Sequence, residues 1–194
     1  KPVSAMHRYL LLACASALCV LTAAAAGIKE RVAEINAAYT AALEQISYGA
    51  EDRNQLNNVV VTRSENLPGS GPSAFTTEYY FRVTYGPEGQ RQRQLYLIRD
   101  TQQYAGRRYT CDYLVDPATG QLMYFSASEP DLYGDSGTIT TQVFFDKAGP
   151  KKPLLLIRGN ASTDTPTLDA DAARRVATFA ALLSLFPTLL PPAQ

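Results

Sequence analysis

Glu78 and Asp112 each sit in an alternating run of apolar and polar residues with an arginine nearby, Arg82 after the first and Arg108 before the second. Two carboxylates at a suitable separation suffice for glycoside hydrolysis, one as acid and the other as base or nucleophile. On the solvent face of a sheet, however, acids beside arginines form cross-strand pairs worth roughly 0.2–1 kcal/mol. That is the expected role of both, and no residue is assigned to catalysis. A second acidic group, Glu129, Asp131 and Asp135, offers oxygen ligands of the kind calcium takes. It lacks the spacing and closing glutamate of an EF-hand loop, so a polar connection is the expected reading and a metal site the alternative. Cys111 shares a strand face with Tyr109, Tyr113 and Val115 and is expected to be a buried small hydrophobe; an exposed thiol would instead link two chains.

Tyrosine is the one compositional excess, with 12 residues and no tryptophan. Its ring suits surfaces that must be apolar yet wettable. Tyr80 and Tyr96, with Arg82 and Arg108 close by, are the candidate ligand-binding residues, a platform on one sheet face for a protein or a glycan.

Most other chemistry is excluded. The only histidine is His7, so beyond the first 26 residues no imidazole is present to serve a Ser-His-Asp triad or a Cys-His pair. One cysteine in that part is too few for a Cys/His zinc site, and neither a G-x-G-x-x-G nor a G-x-x-x-x-G-K-[ST] phosphate cradle occurs. No cofactor is expected. A formal charge of zero supplies no field to gather nucleic acid. Residues 1–26 read as an export signal with five upstream residues: Met6, the basic His7 and Arg8, an apolar run from Tyr9 to Thr22, and small alanines at 23–26. Cleavage there would leave a mature chain with no histidine, no transmembrane segment and a monomeric or weakly dimeric state, in the periplasm or outside the cell. The alternatives are a retained anchor or lipidation at Cys14, for which the apolar stretch before that cysteine is short.

The elements that must position these groups follow from periodicity. Ile28, Val32, Ile35, Tyr39, Ala42, Leu43 and Ile46 recur at spacings of three and four, which predicts an amphipathic helix over 28–46. Strands are predicted over 59–63, 75–85, 92–100, 108–115, 122–128, 138–146 and 154–157, joined by short turns. In the second, Phe75, Thr77, Tyr79, Phe81, Val83 and Tyr85 form the face expected to meet that first helix. In the third, Leu95 and Leu97 should oppose Tyr96 and Ile98. Pro117 and Gly120 should close a hairpin. Residues 66–73, 129–137 and 160–167 read as loops or linkers, and Asp169 should cap a last helix over 170–186, stopped at Pro187.

These readings combine into one α+β domain over 27–194: an N-terminal helix packed on an antiparallel meander of about six or seven strands, followed by a C-terminal helix. The outline is similar to that of cystatin-like folds, a likeness of shape from which no function follows. The expected function is a non-enzymatic binding module. A carboxylate-based hydrolase and a structural protein of the cell envelope are the alternatives.

Overall fold

The computed structural model describes residues 27–46, 55–67, 71–104, 106–131, 137–163 and 168–190. The proposed leader at 1–26 lies outside them. The described residues divide at 37/38 into two compact units. Of the first, residues 27–37 are helical and belong to α1, which spans 27–46; Ile35 on the apolar stripe is fully buried.

The second unit is built on one sheet. Strands β1 (Asn57–Leu67), β2 (Gly71–Tyr85), β3 (Arg91–Tyr104), β4 (Arg107–Val115), β5 (Leu122–Pro130), β6 (Thr138–Phe145), β7 (Pro153–Arg158) and β8 (Ala161–Thr163) follow one another in space as in sequence. Every neighbouring pair is antiparallel. The fold class is therefore the expected α+β meander, with longer strands than the periodicity marks. β1 and β2 extend into 66–73, β5 reaches Pro130, and β8 lies in the polar stretch read as a linker. Backbone pairing continues there although side-chain alternation stops, because a ladder needs only N–H and C=O groups.

The β4–β5 turn forms as its residues dictate. Asp116 Oδ1 accepts from the Ala118 backbone N–H at 2.9 Å and the Asp116 carbonyl from the Gly120 N–H at 2.8 Å. Gly120 closes the loop at φ 72°, a conformation that a Cβ would oppose.

Three β-bulges interrupt the ladder. Tyr80 pairs with Leu97 while Phe81 pairs with Leu95, which leaves Tyr96 as an extra residue. Met123 and Leu154 are the corresponding extras in β5 and β7. A bulge resets the alternation of its strand. Leu95 therefore joins Ile98 in one cluster of buried side chains; the expected pairing of Leu95 with Leu97 on one face is corrected.

The helix α2 (Ala170–Leu185) begins as expected, with Asp169 Oδ1 accepting from the Ala172 N–H at 2.8 Å. Its buried residues, Ala172 and Phe179, lie seven apart on one stripe, and Phe186 continues it into a closing 3-10 turn, Phe186–Leu189. Phe186 stacks on Tyr79 at 5.7 Å and meets Phe81 edge-on at 5.5 Å, while Phe179 packs against Tyr113 at 5.8 Å. The face carrying Tyr79 and Phe81 is thus covered by the last helix, where the first had been expected. The 3-10 turn sends the Phe186 N–H to the Leu183 carbonyl, and Tyr79 Oη donates to the Leu182 carbonyl at 3.2 Å, satisfying a helix-end acceptor from the sheet.

Within the second unit, residues 38–46 of α1 cover the opposite face. Tyr39 packs against Tyr124 at 5.0 Å, Ala42 is buried, and Arg82 Nη2 donates to Gln45 Oε1 at 3.1 Å. A sheet covered on both sides carries apolar residues on both, so Leu97, Leu114, Tyr124 and Phe144 are buried as fully as Tyr79, Tyr113 and Phe125.

Candidate functional site

Strand register places Glu78, Arg99, Asp112, Ser126 and Gln142 side by side across five strands. Arg99 holds Asp112 in a two-pronged pair, Nε to Oδ1 at 2.7 Å and Nη2 to Oδ2 at 2.8 Å. Tyr39 Oη adds a third bond to Oδ2 at 2.7 Å. The hydrogen bonds to Asp112 hold the Arg99 guanidinium above the usual arginine range against the opposing effect of burial. Burial, reinforced by the Asp112 charge, pushes the Tyr39 phenol well up. Tyr80 Oη donates to Glu78 Oε1 at 2.9 Å, and its phenol is pushed up to about 12, by burial first and then by that bond. Gln142 Nε2 donates to Tyr124 Oη at 2.7 Å.

This row corrects the reading of Asp112 as a solvated strand acid. It is buried, and both oxygens are engaged by Arg99 and Tyr39. The partner is Arg99, across the β3–β4 hairpin, rather than Arg108, which is exposed and opposite Gln103 near the hairpin's tip. Nor do the four candidate ligand residues form an open platform. Tyr80 is 6% exposed under this network. Arg82 lies over the Tyr96 ring at 5.6 Å and bonds to Gln45. Arg108 stands at the far end of the sheet from them.

The face under α2 is different. There α2 and strands β3, β4 and β5 enclose a cavity of about 320 Å³, lined in part by Asp100, Gln102, Tyr109, Tyr113, Glu129 and Arg175. Asp100 is 8% exposed. Its carboxylate accepts from Thr77 Oγ1 at 2.9 Å and Gln102 Nε2 at 3.0 Å, both neutral donors. Among the described residues no cation reaches salt-bridge distance of it. Arg175 Nη2 lies 3.2 Å from Glu129 Oε1, and Arg174 pairs with Asp171. A second cavity of about 260 Å³ continues past the same aspartate. It is walled by Val61, Phe75, Leu182, Leu185 and Leu189 and shares Asp100, Gln102 and Thr178 with the first. Leu185 and Val61 remain 49% and 39% exposed at this groove.

Thiol chemistry has little footing in this cleft. Cys111 is buried as expected, and burial pushes its thiol up to about 12, far from the thiolate needed for attack. Burial likewise raises the Tyr113 phenol.

Of the acidic group read as a possible calcium site, Glu129 is committed to Arg175, Asp131 lies just past β5, and Asp135 falls outside the described residues. Among the described residues no set of three or more His, Cys, Asp or Glu side chains could hold a metal ion. No helix among them is long and apolar enough to cross a membrane.

Sequence reasoning missed Asp100 and Arg99. The signal for Asp100 was an acid two residues after Ile98, where the alternation of β3 calls for an apolar side chain. The signal for Arg99 was hairpin symmetry, since it and Asp112 are nearly equidistant from the Tyr104–Arg107 end pair. Comparison with known proteins finds no matching family model, no similar curated protein and no similar solved structure.

Proposed function

We propose that the chain is an exported, non-enzymatic module that binds a small amphipathic ligand in the cleft between α2 and the sheet. The observation that carries this is Asp100, a carboxylate withdrawn from water at the junction of a polar cavity and an apolar groove, with no cation among the described residues within salt-bridge distance of it. Burying a charge is costly unless it is paired, so a folded chain that keeps one at a cavity wall has a use for it there. A cavity of about 320 Å³ lies at the lower end of the usual range for small-molecule sites. The apolar run and alanines of the leader support export, and the protonated Cys111 and the lack of histidine after His7 support a role without turnover.

Native mass spectrometry of protein purified from its producing cell tests the reading: a bound small molecule lost on Asp100→Asn is expected. A wild-type protein that carries nothing and gains no thermal stability from a metabolite library would refute it.

One observation favours a second reading, a carboxylate-based hydrolase: Asp100 and Glu129 line one cavity. Asp100 lies opposite Cys111, which lies opposite Ala127, two residues before Glu129. Strand spacing and rise then put the two backbones about 12 Å apart. Glycosidase carboxyl groups work at roughly 5 to 10 Å, which leaves the gap to the side chains. Glycoside turnover abolished by both Asp100→Asn and Glu129→Gln would establish this reading over the first.

A further inference from the structure

We infer that the ligand of this cleft is an ammonium carried on an apolar chain, with its charge at Asp100 and its chain along Leu182, Leu185 and Leu189. The inference rests on the cleft being a binding site and adds the class of molecule that fills it.

Charge is the first argument. Among the ionised groups lining the larger cavity, Arg175 is matched by Glu129 and Arg174 by the neighbouring Asp171, so the charge left without a counterpart is that of Asp100. Each Asp100 oxygen takes one hydrogen bond, Oδ1 from Thr77 and Oδ2 from Gln102. A carboxylate offers about four acceptor positions, so two remain for a donor that enters the cleft. An ammonium supplies three N–H groups and the missing charge together. A neutral hydroxyl supplies only a bond, and a carboxylate would be repelled.

Surroundings are the second argument. Tyr109 and Tyr113 line the same cavity, and aromatic rings attract cations that have left water. The apolar groove begins at Asp100, Gln102 and Thr178. Arg63, which lies over the Phe75 ring at 4.6 Å and pairs with Glu65, closes one side of that groove; a charge seated at Asp100 therefore has an apolar continuation along the helix side, whereas a small inorganic cation would leave Leu182, Leu185 and Leu189 uncovered. The shared chemistry is a primary ammonium on an apolar substituent, found in both alkylamines and apolar amino acids. The second source adds a carboxylate, for which Arg174, a lining residue 73% exposed on its side chain, is the candidate partner.

The test is calorimetric titration of the full chain with octylammonium, leucine, octanoate and octanol, each below its aggregation limit. Saturable binding of octylammonium or leucine is expected, with affinity at least tenfold lower in Asp100→Asn, and no binding of octanoate or octanol. Preference for leucine over octylammonium would assign the amino-acid source, and the reverse the alkylamine. Octanoate or octanol bound by wild type and by Asp100→Asn, but not by Leu182→Gln, would overturn the ammonium assignment and leave the cleft reading intact. If none of the four binds, both fall. Should Asp100→Asn not fold, methyl NMR of the wild-type chain with octylammonium replaces it. Shifts confined to Thr178, Leu182 and Leu185 support the inference, and shifts elsewhere overturn it.

Discussion

Asp112 and Asp100 lie one rung apart on the same hairpin, Asp112 opposite Arg99 and Asp100 opposite Cys111, yet on opposite faces of the sheet they have opposite surroundings. Asp112 is gripped by a guanidinium and a phenol through three bonds, one to Oδ1 and two to Oδ2, and its charge is matched by Arg99. Asp100 is as well buried, but by neutral donors and a cavity wall. Burial of an acid is therefore no guide to its use; what matters is whether the chain itself completes the coordination. The first acid ties α1 to β3 and β4, and the second leaves its coordination unfinished.

That contrast can be broken from either side. The largest effect is expected from Asp112→Ala, which strands Arg99 beneath the helix. Removing one partner of a buried pair costs about 3–5 kcal/mol, and Arg99 keeps 26% side-chain exposure, so about 3 kcal/mol is expected in urea unfolding. A loss below 1 kcal/mol would show the pair to be ornamental. Alkali comes next. Tyr80 is raised from its usual 10.0 to about 12, so its protonated form is favoured by folding. That contribution is intact below pH 10 and is lost as the pH climbs to about 12. It amounts to about 2 kcal/mol at 1.36 kcal/mol per unit, discounted for residual solvation. Urea midpoints at pH 9 and 11.5 should show the fall, and Tyr80→Phe should lessen it.

Tyr39→Phe removes one bond to a carboxylate that retains its arginine, a loss of about 1.5 kcal/mol. Coupling to Asp112→Ala in a double-mutant cycle would confirm that the bond is the cause. The smallest effect on stability is expected on the other face. Asp100→Asn keeps the shape and discards a charge that no cation among the described residues pairs with, so the change should stay within about 1 kcal/mol of zero. A cost equal to that of Asp112→Ala would dissolve the contrast between the two acids.

Much of this architecture could be read in the sequence, because the signals concerned are local. Asp169 three residues before Ala172, Pro117 with Gly120, and the alternation of β2 and β4 each act within a few residues. The bulges at Tyr96, Met123 and Leu154 were not legible, because an extra residue in a ladder is set by its partner strand and carries no mark of its own. The first helix was assigned to the face of Tyr79 and Phe81 from the alternation of β2, and that failed for a physical reason: both faces are apolar, so alternation cannot say which helix covers which. The candidate site was obscured for the same reason. Glu78 and Asp112 stood out as acids in strands, but their partners come from neighbouring strands and from Tyr39 on α1. Asp100 looked like the polar end of a strand until α2 closed over it.

The phenol of Tyr79, lodged on the Leu182 carbonyl, fastens the last turn of α2 to the second strand. Leu185 and Leu189 follow that fastening directly, so one wall of the groove hangs from this latch and from the Phe186 ring packed beside it. Were the proposed guest to bind, the exposed edge of Leu185 would offer it a way in that leaves the helix seated. Amide exchange over residues 184–189 would quicken in Tyr79→Phe if the latch is what holds the door.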